Sequence, residues 1–189
     1  MKINMDVIIR DDNPLLREKS VDVTLPLSAE DKELLTAMIT YVRDSRDEEL
    51  AEKENLRPAV GLAAPQVGVL KRMIAVVVDE WKNDDEVILH EFALVNPRIV
   101  AHSEAKSMLS NGEGCLSVDE VIEGYVPRFA RIRVRGYDLL REQHVEIKAH
   151  GYLSIVLQHE IDHLNGIMFY DHINKEEPWK PIENALLID

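Results

Sequence analysis

Apolar residues recur at helical spacing near both ends of the chain and at strand spacing between them. Leu34, Leu35, Met38, Ile39 and Val42 repeat at three-and-four intervals, so a helix here buries one face. Ser28, followed by Glu30 and Asp31, supplies its start, with an acidic residue three places after a capping hydroxyl. His150 to Leu164 returns to the helical period, with Tyr152, Ile155, Val156, His159 and His163 on one face, and Asn165-Gly166 provides a stop. Met73–Val78, Ala93–Val95, Ile132–Val134 and Val145–Ile147 are short apolar runs between turn-forming residues and read as strands. An amphipathic helix, then strands, then one late helix predict an α+β fold. Short, mostly antiparallel strands should pack around the late helix, without βαβ alternation. Asp44 to Arg57 is crowded with charge and lacks periodicity. It reads as an exposed extension, and no chemistry is assigned to it.

Composition narrows the class. The 189 residues carry a formal net charge of −13, and no repeat or Ser/Gly linker divides them, so one domain is expected over 1–189. No apolar stretch approaches a bilayer span, and charge at Arg10-Asp11-Asp12 interrupts any secretory segment. A single cysteine rules out an intramolecular disulfide framework. The expectation is a soluble cytoplasmic protein with no membrane role. The acidic balance argues against broad nucleic-acid binding and leaves room only for a small local contact. The densest basic run places Arg131, Arg133 and Arg135 at period two, on the exposed face of a strand whose other face carries Ile132 and Val134.

The strongest local signal is Gln158-His159-Glu160-Ile161-Asp162-His163. Two His at i and i+4 project from one helix face and can grip one metal ion. Glu160, one residue past the first of them, can reach water at that site without being a ligand. Ile155 and Val156 continue the His face as an apolar stripe, so the imidazoles point inward. Catalytic metal sites commonly take three protein ligands and leave a position open. Asp171, His172, Glu176 and Glu177 follow in no recognisable pattern, whereas Cys115 stands between flexible glycines in Asn111-Gly112-Glu113-Gly114-Cys115-Leu116-Ser117. A lone cysteine is ordinarily a small core residue; beside an H-E-x-x-H pair lacking its third ligand, ligation is the better reading. A third segment, Ala59 to Gly68, is rich in small residues that permit close backbone approach, and its Gln66 amide can donate to a developing oxyanion.

Together, Ala59–Gln66, Glu113–Ser117 and His159–His163 resemble, in order, the G-φ-G-φ-A-A-x-Q, E-G-C-φ-S and H-E-x-D-H motifs of the peptide deformylases. The resemblance runs from about Val7 to Asn174. Ala59 stands where the pattern has its first glycine, and the charged stretch before the first motif is similar to the longer subclass of Gram-positive bacteria. The tail from Lys175 to Asp189 matches nothing.

The resemblance implies removal of the N-formyl group from the initiator methionine of nascent polypeptides. Cys115, His159 and His163 would hold one divalent metal, with Fe²⁺ the native ion implied. Thiolate plus imidazole leaves Zn²⁺, Ni²⁺ or Co²⁺ open and excludes Mg²⁺ and Ca²⁺. Glu160 would carry the proton, while Gln66 and the Leu116 N–H would stabilise the oxyanion. Val60, Gly61 and Leu62 would pair with the substrate backbone as an edge strand. Val156 and the His159 ring would line a pocket for the methionine side chain. Asp162 reads as structural, with Arg128 its partner. Two competing readings are a zinc peptidase cutting internal amides, which wants a third Glu or His ligand, and a structural metal site, which wants four ligands.

Overall fold

The computed structural model describes all residues 1–189. Its organising feature is strand β2 (Met73–Asn83), whose first six residues are buried on both faces. Met73, Ala75 and Val77 point into one apolar cluster, whereas Ile74, Val76 and Val78 point into another. Period-two alternation in a strand buried on both sides thus splits the interior into two cores.

Helix α1 (Ala29–Asp44) covers the first face. Ser28 Oγ accepts the Asp31 N–H at 3.1 Å, and Leu34, Leu35, Met38, Ile39 and Val42 are all buried there, as the spacing predicts. Helix α3 (Gly151–Leu164) covers the other face with Leu153, Val156, Leu157, Ile161 and Leu164. A five-stranded antiparallel sheet lies between them in the order β1-β2-β3-β6-β7. Its other members are β1 (Gly61–Ala63), β3 (Glu86–His102), β6 (Arg131–Asp138) and β7 (Gln143–His150).

The apolar runs at Met73–Val78 and Ala93–Val95 lie within much longer strands. Past Val78, β2 and β3 project as an exposed hairpin held by backbone pairing from Asp79↔Leu89 to Asn83↔Glu86, where Trp81, Val87, Ile88 and Leu89 stand in solvent instead of a core. The stretch from Asp44 to Arg57 is likewise not plain extension: Glu48–Glu54 forms helix α2. Capping makes it. Asp47 accepts the Leu50 N–H at 3.0 Å, Asn55 takes the left-handed conformation at φ 55°, and Glu48, Glu49 and Lys53 suit the helix dipole. Arg131, Arg133 and Arg135 lie on the exposed face of β6, with Ile132 and Val134 buried beneath.

A second sheet, in the order β5-β4-β8, flanks the first and comprises β4 (Lys106–Leu109), β5 (Arg128–Phe129) and β8 (Leu186–Ile188). The tail that resembles nothing in sequence therefore has a structural place. Its β8 pairs in parallel with β4 at Ser107↔Leu186 to Leu109↔Ile188, next to the loop that delivers Cys115. No helix is long and apolar enough to cross a membrane.

Candidate metal centre

Three elements converge on one point. Helix α3 presents His159 and His163 one turn apart, with ring centroids 5.1 Å from each other. The loop after β4 brings in Cys115 after a turn at Gly112, where φ is +77° and an added Cβ would sit 2.8 Å from the Gly124 carbonyl oxygen. The ligand atoms of Cys115, His159 and His163 all lie within 4.8 Å of one another, with Cys115 Sγ 3.4 Å from His163 Nε2. None of Asp171, His172, Glu176 or Glu177 joins them.

The imidazoles are set by their neighbours. His159 Nδ1 donates to Glu113 Oε1 at 2.8 Å, leaving Nε2 for the cysteine side. Burial alone would raise the Glu113 carboxyl, but His159 and Arg128 hold it down at about 2, so it stays ionised. Burial opposes protonation of both histidines. It prevails at His163, which falls well below its ordinary range. At His159 it is outweighed by hydrogen bonds to Cys115 and Glu113, which carry the imidazole well above that range. A soft thiolate with two imidazoles suits a borderline divalent metal.

Glu160 is buried at 4% exposure, and its Oε2 has no hydrogen-bond partner. Burial lifts its carboxyl to about 7, with Glu113 adding to the rise and His159 and Arg128 opposing it. Gly61 of β1 lies against it: a Cβ built there would be 2.5 Å from Glu160 Oε1. Gln66 is pinned by the Ala63 N–H donating to its Oε1 at 2.9 Å. Its Nε2 lies 3.4 Å from Cys115 Sγ and 3.2 Å from Ser117 Oγ.

A cleft of about 1290 Å³ opens over these groups. Val60, Gly61, Gln66, Cys115, Leu116, Val156, His159 and Glu160 all line it. Leu62 does not: its side chain is fully buried in the core facing α1. Strand β1 is the edge of its sheet and pairs only with β2.

Sequence reasoning passed over two residues. Glu113, the carboxylate that orients His159, was hidden inside the E-G-C motif two positions before the cysteine. Arg57 ends the stretch to which no chemistry was assigned. Its Nη2 donates to the Cys115 carbonyl at 2.7 Å and its Nη1 to Asp119 at 3.2 Å, tying the ligand's loop to the body of the protein. Arg128 does reach Asp162, at 2.6 Å, but it also grips Glu113 through two nitrogens at 2.8 and 3.0 Å.

A family model described as polypeptide deformylase matches residues 5–179. The chain belongs to the polypeptide deformylase family. Peptide deformylase 2 of Bacillus subtilis (strain 168) is 54% identical over 187 residues, which is 99% of this chain and 99% of that one. Peptide deformylase of Ligilactobacillus salivarius (strain UCC118) is 51% identical, covering 99% and 100%. The crystal structure of peptide deformylase from Ehrlichia chaffeensis superposes with a TM-score of 0.72 at 31% identity, covering 94% of this chain and 91% of that one. This deformylase accommodates Ala59 without strain. Its backbone does not take a positive φ, and its N–H and C=O are both met by Ser45 Oγ, at 3.1 and 3.3 Å.

Proposed function

We propose that this chain hydrolyses the formyl amide of N-formyl-methionyl nascent polypeptides, releasing formate and the free amino terminus. What supports this reading is a buried Glu160 next in sequence to His159, one of the convergent Cys115, His159 and His163, in a deformylase-family chain.

Cys115, His159 and His163 would hold one divalent ion, Fe²⁺ on the family resemblance, with Zn²⁺, Ni²⁺ or Co²⁺ compatible with the same donors. Such an ion, when bound, lowers the pKa of water and polarises the formyl oxygen. Glu160, with its carboxyl near 7, takes the proton from the attacking water as the C–O bond forms. It then delivers that proton to the leaving amine as the C–N bond breaks. The Gln66 amide and the Leu116 N–H donate to the oxygen that gains charge. Backbone groups of Val60, Gly61 and Leu62 hold the peptide along the free edge of β1, a mode that reads little sequence and suits varied nascent chains. Val156 and the ring of His159 enclose the methionine side chain. The whole of 1–189 acts as one catalytic domain in the cytoplasm, and its acidic charge disfavours broad nucleic-acid binding and leaves room for no more than a small, transient contact with the ribosome.

Incubation of the metal-loaded protein with formyl-Met-Ala-Ser tests the reading, with formate and internal cleavage measured separately. Formate alone is expected. Internal cleavage without formate would overturn it.

A further inference from the structure

The cleft is longer than the chemistry needs. Its volume of about 1290 Å³ exceeds the ~300–1,000 Å³ usual for a small-molecule site. From the metal centre it runs past β1 and along β2 as far as Trp81 on the projecting hairpin. Trp81 is 66% exposed, Val121 in the loop beyond Cys115 is 90% exposed, and Tyr152 at the start of α3 is 38% exposed; all three line this cleft. Large apolar side chains held on the walls of a groove, and not covered by the protein, mark a binding surface.

The backbone beneath them is also open. Strand β1 pairs with β2 only from Gly61↔Val76 to Ala63↔Ile74, and the last contact of its lead-in is the Val77 N–H to the Val60 carbonyl at 2.9 Å. Beyond Val77 no strand pairs with that edge of β2, although the strand continues to Asn83. A peptide laid along the free edge of β1 and carried outward would therefore pass beside an unpaired stretch of β2.

The register sets the distance. Gly61 touches the Glu160 position and faces Val76, so Val76 is level with the reacting amide. Trp81 lies five residues further along β2, about 17 Å at strand rise. An extended substrate covers the same distance in five residues.

We propose that Trp81 forms an outer subsite that takes an apolar side chain at about the sixth residue of a formylated nascent chain. This rests on the deformylase reading above and adds to it a substrate preference that a tripeptide cannot reveal. Continuity with the reaction cleft fixes the occupant as the substrate's own downstream segment.

The test uses formylated heptapeptides identical except for Leu or Ser at the sixth residue, with kcat/KM followed as formate release. The wild-type protein is expected to favour the Leu peptide about tenfold, the scale of one well-placed aromatic anchor. Trp81→Ala should bring that ratio close to one and Trp81→Phe should keep most of it. Moving the same Leu/Ser pair to the third residue should remove the effect of the Trp81 substitution on the ratio. A wild-type Leu/Ser ratio of one, or a ratio unchanged in Trp81→Ala, would overturn the outer subsite while formate release leaves the deformylase reading standing. Absence of formate from every peptide would instead overturn the reading on which the subsite depends.

Discussion

His159 donates from Nδ1 to Glu113 at 2.8 Å, and Glu113 is in turn held by two nitrogens of Arg128. A carboxylate kept ionised at about 2 can only accept, so this contact holds a proton on His159 Nδ1 and turns Nε2 toward Cys115. Arg128 is 3% exposed and also binds Asp162, so the line from Asp162 through Arg128 and Glu113 to His159 braces one imidazole from outside the metal pocket.

Glu113→Gln should therefore weaken metal binding while leaving all three ligands in place. The expected loss is about 10- to 100-fold in affinity, the scale seen for partners that orient a ligating imidazole. Competition with a chelator, read as metal retained per chain, measures it. Unchanged affinity would mean that His159 is oriented by packing alone.

Gly61 sets a second constraint. A methyl group there would come within 2.5 Å of Glu160 Oε1 and 2.8 Å of its Cγ and Cδ, so the carboxylate must shift. Gly61→Ala should displace the carboxylate by an ångström or so and lower kcat by about 100-fold, with metal content preserved because no ligand is touched. Formate release and metal analysis on the same sample check both halves.

Each part of the fold is legible in the sequence to the extent that local patterning builds it. Helices α1 and α3 were legible because each buries a stripe at helical spacing, and Leu35 and Leu157 show no exposed surface. Helix α2 was not, since Asp47 and Asn55 specify it by capping and it buries little beyond Ala51. The pairing of β8 with β4 was invisible for a different reason. Leu186 and Leu187 remain exposed, and parallel pairing across some 80 residues leaves no local pattern. At the site, Cys115, His159, Glu160 and His163 were legible through motif spacing. Arg57 was not, because its contacts go to the backbone carbonyl of Cys115 and to Asp119 and depend only on the fold.

The ion pair from the N-terminal segment to the turn that follows α3 should make stability fall in acid. Asp171 accepts from Arg17 at 2.5 Å and from the Met168 N–H at 2.9 Å. Burial pushes its carboxyl up, but these bonds outweigh that and leave it below the ordinary value of about 3.9. A carboxyl depressed in the folded state contributes stability that is present above its unfolded pKa and lost as pH falls through the folded one. Asp171→Asn should lower the urea midpoint at pH 7 and narrow the gap from wild type as pH drops below about 4. An equal gap at pH 7 and pH 3 would show that the charge of Asp171 contributes nothing.

Glu160 and Cys115 stand close together in the cleft, yet the roles proposed for them predict different failures. Glu160→Ala removes the proton carrier and leaves the thiolate and both imidazoles. It should keep stoichiometric metal while turnover falls by about two to four orders of magnitude, the scale of a lost general acid–base group. Cys115→Ala removes a charged ligand and leaves two histidines, which bind a metal weakly, so metal content and activity should fall together. If Cys115 merely filled space, the outcome would differ. Its side chain is partly exposed, so truncation would cost little stability, and the variant would stay metallated and active. Metal per chain and formate release on both variants separate the cases. A fully metallated, active Cys115→Ala protein would remove the cysteine from the site and, with it, the reason for reading this cleft as a deformylase centre.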